Sequence, residues 1–239
     1  MNLSERLYMN VSLVPKGAKV ADIGCDHGYA SIWLVRQGIS NKVIALDVNK
    51  GPIERAKKHV YEAGLEQYIE CRQSDGTEKL IPGEVDTLMI AGMGGPLMMD
   101  ILAAGKDVLE GVGTLILQPQ SEIGEVRKFL LEHGFFICQE KACLDDGKYY
   151  FAIRAEKGEA PEDNLLQDWQ YRYGTYLVQE KDPVLRQYLL REKNTYMSIL
   201  ENMEKNHVPD ERKAEIKHMI SDIGKCLEQM EDKAEEKGW

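Results

Sequence analysis

The run Val20-Ala21-Asp22-Ile23-Gly24-Cys25-Asp26-His27-Gly28-Tyr29 constrains this chain more than any other stretch. Behind it, Ala18 to Ile23 is apolar, carries a carboxylate near its end and is too short for a helix of its own. Ahead, Tyr29 to Val35 is rich in apolar residues and suits a helix, with Gly24 and Gly28 at the junction. The order reads as strand, tight glycine turn, helix. Glycine lets backbone approach a ligand without a Cβ in the way, and a helix start offers unpaired N–H groups to a polar moiety. A second apolar run, Val43-Ile44-Ala45-Leu46-Asp47, ends in an acid about twenty residues further on, where a βαβ nucleotide site carries its ribose-binding carboxylate.

Around this pair the chain alternates. Leu3 to Val14 has Leu3, Leu7, Val11 and Val14 at helical spacing, with Ser4 near its start and Pro15-Lys16-Gly17 stopping it; Arg6 on its other face is a candidate phosphate contact. Strands are expected at Lys19–Ile23, Lys42–Leu46, Tyr68–Arg72, Val85–Ile90 and Thr114–Leu117. Helices are expected at Gly28–Gln37, Pro52–Ala63, Pro96–Ala104 and Ser121–Glu132. Phe135–Cys143 and Lys148–Glu156 are β-rich runs joined by Asp145-Asp146-Gly147, a hairpin signal. Continuous apolar strands alternating with helices imply a doubly wound, mostly parallel α/β sheet, here with an antiparallel terminal pair. Ligands on such a sheet bind outside the carboxyl ends of the strands. The polar or glycine-rich stretches Asp22–Gly28, Asp47, Ser74–Gly76, Ala91–Gly95 and Gln118–Gln120 all fall at that rim.

After Gly158 the texture changes, so the expected division is a catalytic domain over 1–158 and a helical domain over 159–239. Glu159 to Asp163 is a polar linker, and Trp169 to Tyr176 is an aromatic cluster. Val184–Asn206 reads as a long helix with Leu185, Leu189, Tyr196, Ile199 and Met203 inward, although Glu192 interrupts that seam. After a break at His207-Val208-Pro209-Asp210, a second helix carries Ile216, Ile220, Ile223, Leu227, Met230 and Ala234 at alternating steps of four and three, a heptad seam. The expectation is an antiparallel coiled-coil hairpin.

Composition narrows the class. With 239 residues, 43% hydrophobic and 29% charged, the chain can bury a core. No apolar run approaches the ~18 residues of a membrane span, and the start has neither a basic head followed by an apolar run nor a cleavage pattern. The five cysteines are scattered without a Cys-x-x-Cys pair and read as reduced thiols, neither a disulfide framework nor a zinc site. A cytoplasmic protein without metal or membrane is expected. The net charge of −10 speaks against nucleic-acid binding by bulk electrostatics but leaves room for a local basic face.

The turn also selects a cofactor. A dinucleotide site wants Gly-x-Gly-x-x-Gly, whereas here Asp26 stands where two phosphates would lie and would repel them. S-adenosyl-L-methionine has no phosphate, and Asp22 and Asp26 would welcome its sulfonium and α-ammonium. Asp47 then suits the ribose hydroxyls, and the Asp75 side chain with the Gly76 amide suits the adenine edge. Gly24, Cys25, His27, Gly28, Tyr29, Ser74, Ala91 and Gly92 complete the expected cofactor-binding set.

Together, Ala21-Asp22-Ile23-Gly24-Cys25-Asp26-His27-Gly28-Tyr29, Asp75-Gly76, Ile90-Ala91-Gly92-Met93-Gly94-Gly95 and Leu115-Ile116-Leu117-Gln118-Pro119 resemble the bacterial tRNA (adenine-22-N1)-methyltransferase family. The resemblance runs the length of the chain, including Asp146-Gly147-Lys148 and the helical C-terminal region. It implies a class I, Rossmann-like methyltransferase fold, S-adenosyl-L-methionine, and transfer to N1 of an adenine in the D-arm region of tRNA. Residue chemistry by itself reaches only a methyltransferase of unspecified acceptor.

Adenine N1 is a lone-pair nucleophile, so no strong base is required, but the product ring is cationic and a carboxylate near the 6-amino group would stabilise it. Asp26 is the candidate, with capping of the helix or binding of the α-ammonium as its alternatives. The turn at Met93 and Gly94 would align the reacting pair and keep water out. For tRNA phosphates, Lys148, Arg154, Arg186, Arg191 and Lys193 are candidates, and the long helix would reach roughly 35 Å at ~1.5 Å per residue. A monomer or weak dimer is expected. The main rival is a small-molecule methyltransferase using the helical hairpin as a lid or dimer arm. A non-catalytic cofactor-binding scaffold and a nicotinamide dehydrogenase come behind it.

Overall fold

The structure, a computed structural model, describes residues 3–158 and 166–231. The chain forms two compact units, Met1–Asn164 and Leu165–Trp239. The linker expected at Glu159–Asp163 and the last seam position, Ala234, lie outside the described residues.

In the first unit the elements run α1 (Glu5–Val11), β1 (Lys19–Ile23), α2 (Tyr29–Arg36), β2 (Lys42–Asp47), α3 (Lys50–Ala63), β3 (Ile69–Gln73), β4 (Thr87–Met93), α4 (Gly95–Ala104), α5 (Lys106–Leu109), β5 (Thr114–Pro119), α6 (Ile123–Glu132), β6 (Phe135–Asp145) and β7 (Lys148–Lys157). The strands form one seven-stranded sheet in the order β3-β2-β1-β4-β5-β7-β6. The first five are parallel, and β7 runs antiparallel to both β5 and β6. Parallel pairing puts the carboxyl ends of β1 to β5 on one edge, so the polar turns singled out in the sequence share a rim.

Alternation within each strand feeds two cores. Ile44, Leu46, Leu88, Ile90, Leu115 and Leu117 pack on one face with Met98, Leu102, Val126 and Leu130. Val43, Ala45, Met89 and Ile116 pack on the other with Met9, Val11, Ile32, Ile53 and Ala56. Strands covered on both faces must be apolar throughout, which is why they read as unbroken runs. One ion pair crosses this interior: Arg127 Nε donates to Glu140 Oε1 at 2.8 Å, tying α6 to β6.

Most elements shift by a residue or two from the sequence reading, and a few differences are larger. The first helix spans only Glu5–Val11: Ser4 caps its start by accepting from the Leu7 N–H, and the Ser12 hydroxyl turns back to the Met9 carbonyl at its end. Val85 and Asp86 precede the fourth strand, and Asp86 ties its start to β1 twice, its N–H donating to the Lys19 carbonyl and its carboxylate accepting from the Lys19 N–H. That strand then runs through Ala91 and Gly92 to Met93, where a turn was expected. Gly92 takes φ +80°, the pairing with β5 shifts between Ala91 and Met93, and the Gln120 N–H still bonds the Met93 carbonyl at 2.8 Å. This is a bulged strand end. The short α5 was not foreseen, its four residues lying between Gly105 and Gly111. The hairpin turn behaves as read, with Asp146 and Gly147 at φ 48° and 73°, the left-handed pair a two-residue turn demands.

The second unit contains α7 (Asp168–Tyr173), α8 (Thr175–Gln179), α9 (Pro183–Lys205) and α10 (Asp210–Met230). Asp182 caps α9 by accepting from the Val184 and Leu185 N–H groups. Helices α9 and α10 pack on each other across the short link 206–209, and α7 and α8 pack on α10. Burial is deepest where these four meet, at Trp169, Tyr173, Leu177, Leu185, Leu189, Ile223, Cys226 and Met230. Farther along the pair, Ile216 and Ile220 are only half-buried, and Ile199 is exposed while its neighbour Leu200 turns inward. Among the described residues a third layer covers the pair at its base, so the expected seam is not uniform along its length.

Candidate active site

Asp22 stands in β1 with 5% of its surface exposed, and the Ser31 hydroxyl donates to its Oδ2 at 2.6 Å. Burial pushes this carboxyl up to about 6. The N–H groups of Gly24 and Cys25 both donate to the Leu46 carbonyl, at 2.8 and 2.9 Å, which folds the turn back over β2. Gly24 holds φ +77° and Asp26 holds +48°, a left-handed conformation that an aspartate tolerates better than most residues. Burial raises the Cys25 thiol far above the ordinary range, so it stays neutral.

Asp26 itself is exposed and lies 3.6 Å from an Arg55 guanidinium nitrogen on α3 and 3.5 Å from His27 Nε2. His27 and Tyr29 stack with centroids 5.4 Å apart, and both face His59, at 5.8 and 5.0 Å. His59 Nδ1 sits 2.9 Å from the His27 carbonyl, which can only accept, so the proton of neutral His59 belongs on Nδ1.

Along the rim, Asp47 Oδ1 accepts from the Asn49 N–H at 2.9 Å. The Ser74 hydroxyl donates to the Gly76 carbonyl and accepts from the Lys79 N–H, so it shapes the turn that presents Asp75 and Gly76. Asp75 is exposed, and Gly76 rests against Ile101. In the other direction, beyond the β4 bulge, Met93 reaches back over Gly24, and Gly94 caps α4. Arg6 from α1 completes this side. Its Nη1 donates to Gln118 Oε1 at 3.2 Å, its guanidinium lies 5.5 Å from the centre of the Tyr150 ring, and its backbone N–H donates to Asp145 at 3.2 Å. Arg154, a candidate phosphate contact, is instead ion-paired with Glu156, whereas Lys148 is exposed at the hairpin tip.

The structure therefore brings Asp22, Gly24, Cys25, Asp26, His27, Tyr29 and Ala91 together in one cleft. Gly28 lies beneath it as the cap of α2, and Asp47, Ser74, Asp75, Gly76, Gly92, Met93 and Gly94 lie along the same rim. The sequence reading missed Asn10, which lines the cleft, and Arg55, His59 and Tyr150 around it. Asn10 left no trace in the sequence, one polar residue among several on its helix. Among the described residues no cluster of His, Cys, Asp or Glu is arranged to hold a metal, and no helix is long and apolar enough to cross a membrane.

The strand order, the reversed seventh strand and a glycine turn facing acids at the ends of the central strands define a class I methyltransferase. A family model for TrmK, tRNA (adenine(22)-N(1))-methyltransferase, matches residues 20–225. The tRNA (adenine(22)-N(1))-methyltransferase of Bacillus subtilis (strain 168) is 34% identical over 221 residues, 92% of this chain and 93% of its own. Among solved structures, a Streptococcus pneumoniae protein in complex with S-adenosyl-L-methionine superposes with a TM-score of 0.84 at 32% identity, over 95% of this chain and 100% of its own. M. capricolum TrmK, in complex with S-adenosyl-homocysteine, gives 0.82 at 26% identity over 96% and 99%. The chain belongs to the TrmK family of tRNA (adenine(22)-N(1))-methyltransferases.

Proposed function

We propose that this chain transfers a methyl group from S-adenosyl-L-methionine to N1 of adenine-22 in tRNA. The observation that carries the reading is the single rim on which a phosphate-free glycine turn, the acids Asp22 and Asp47, and the bulged end of β4 meet. The residues fit the donor chemically. A left-handed Gly24 keeps the turn free of side-chain bulk, buried Asp22 gains a counter-charge from a cationic ligand, and Asp47 keeps a carboxylate oxygen for ribose. Gly76 and Asp75 supply an amide and a carboxylate for the adenine edge. When bound, the donor supplies an electrophilic methyl group on a sulfonium.

The protein's part is positioning and charge. N1 lies on the pairing edge of adenine, so the base must leave its stack before it can react. Gly92, Met93 and Gly94 border the space where that base would enter, with small residues that admit a flat ring and a thioether that excludes water. Asp26, held between Arg55 and His27, offers a carboxylate toward the 6-amino group as positive charge develops on the ring. Lys148, Arg186, Arg191 and Lys193 are candidate phosphate contacts, the last three on α9.

The test is methyl transfer from labelled donor to unmodified tRNA, with the product nucleoside identified and mapped. N1-methyladenosine at position 22, lost when adenine-22 is replaced by guanine, supports the reading. Donor binding without transfer to tRNA overturns it in favour of a small-molecule acceptor.

A further inference from the structure

Asn10 is 1% exposed, and among the described residues neither its Oδ1 nor its Nδ2 has a hydrogen-bond partner. Turning the amide over changes nothing, since both atoms are unpaired. A buried amide without partners costs free energy on both its donor and its acceptor side, and native interiors rarely keep one. It lies on the wall of the cleft that Asp22, Gly24 and Ala91 also line. Arg6, one helical turn earlier on the same face of α1, lines that cleft too. Helix α1 lies outside the stretch matched by the family model, residues 20–225.

The position decides what the amide meets. In the sheet Asp22 pairs with Met89, and Met89 also borders the cleft, so Asn10 faces the crevice between β1 and β4. That is where the strand order reverses and where a doubly wound sheet takes the middle of its ligand. The ribose and adenine side lies toward β2 and β3, at Asp47 and Asp75. The entering base lies toward the bulge of β4. What remains between β1 and β4 is the amino-acid end of the donor, which carries an acceptor group and a donor group on one carbon. A primary amide matches that pair, and the pre-oriented Arg6 guanidinium adds positive charge beside it.

Resting on the function proposed above, we propose that Asn10 reads the zwitterionic amino-acid end of the methyl donor. Nδ2 donates to the α-carboxylate and Oδ1 accepts from the α-ammonium. Asp22 faces the ammonium, and Arg6, held by Gln118 and Tyr150 against Gly92, brings positive charge to the β4 side of the same cleft. The amide is thus satisfied only in the liganded protein, and helix α1 is part of the binding site as well as a cover for the sheet.

The experiment is calorimetric titration of the full chain with two ligands, S-adenosylhomocysteine and 5′-methylthioadenosine, which lacks the amino-acid end. Two near-isosteric variants are compared, Asn10→Leu and Asn10→Asp, so that failure of one to fold leaves the other. The wild-type chain is expected to prefer S-adenosylhomocysteine by at least about tenfold, and each variant to lose most of that preference while binding 5′-methylthioadenosine within about threefold of wild type. Equal weakening of both ligands makes Asn10 structural and overturns the proposal. Unchanged S-adenosylhomocysteine affinity with a raised KM for tRNA also overturns it, placing the amide against the target adenine. A wild-type chain that binds neither ligand overturns the functional reading itself, and this inference with it.

Discussion

The Cε methyl of Met93 lies directly above Gly24: a Cβ built on that glycine would stand 2.3 Å from it. The end of β4 thereby roofs the turn after β1, and the two segments that flank the proposed transfer point are in van der Waals contact. Gly24→Ala faces two obstacles, this methyl and a φ of +77°. The thioether is flexible and can move aside, whereas a left-handed backbone costs a substituted residue roughly 1–2 kcal/mol wherever its neighbours lie. Gly24→Ala is therefore expected to lower stability by about that amount and to weaken donor binding at least about tenfold. Adding Met93→Ala should restore little of the stability in thermal unfolding. Full restoration would show that the clash, not the backbone, was limiting.

Asp22 ties ligand binding to pH. Its carboxyl titrates near 6 in the folded chain against an ordinary 3.8, because burial disfavours the charged form. Between those values the folded state keeps a proton that the unfolded chain has released, so this group's contribution to stability falls as pH rises and is lowest above 6. Asp22→Asn should stabilise the unliganded protein at pH 7.5 by roughly 1–3 kcal/mol and flatten its stability between about pH 4 and 6. A cationic ligand favours the ionised carboxylate, so donor affinity in the wild type should rise between pH 5 and 7 and lose that slope in the variant. Calorimetry across the pH range reads both. A donor affinity that falls with rising pH would rule out Asp22 as the counter-charge.

Asp26 should act on chemistry more than on binding. With its carboxylate directed by Arg55 and His27, Asp26→Asn is expected to reduce kcat about 10²-fold or more while the donor Kd moves by less than about threefold. Single-turnover methylation alongside a direct binding measurement separates the two. Loss confined to donor affinity would assign Asp26 to the α-ammonium instead.

The pair Arg127–Glu140 is a structural hinge-pin between α6 and β6. Both side chains are about fully buried, so removing one partner strands a charge in the interior. Glu140→Ala should cost about 3–5 kcal/mol, and the double replacement Arg127→Met with Glu140→Leu should recover most of it in denaturant unfolding. Equal losses in the single and double variants would mean that packing around these residues, not charge, sets the cost.

The centre of the parallel sheet was legible because its strands are buried on both faces and must be largely apolar, as Val43 to Leu46 and Leu115 to Leu117 are. The glycine turn and its acids were legible for the same kind of reason: few residue types tolerate that backbone or that position. What escaped the sequence depends on partners far away along the chain. Ala91 to Met93 reads locally as a loop, and only pairing with Pro119 and Gln120 keeps it extended. Asn10 reads as a helix residue of no distinction until Asp22, Gly24 and Ala91 gather around it. Arg154 looks like any surface cation until Glu156, two residues on, is seen to hold it. Along α9, the choice between Ile199 and Leu200 for the inward position needs the partner helix to decide it.

Helix α1 is fastened near each end to the final hairpin, through the Arg6 N–H on Asp145 and the Lys141 ammonium on the Ser12 hydroxyl, at 3.2 and 2.8 Å. Helix α1, which also packs on α2 and the sheet, is thus completed by the last strands of its unit. Until β6 and β7 have emerged, the wall that carries Asn10 lacks the two ties that fix it over the cleft. Affinity for the donor is then a late property of the nascent chain. It signals that the catalytic unit has been made to its end.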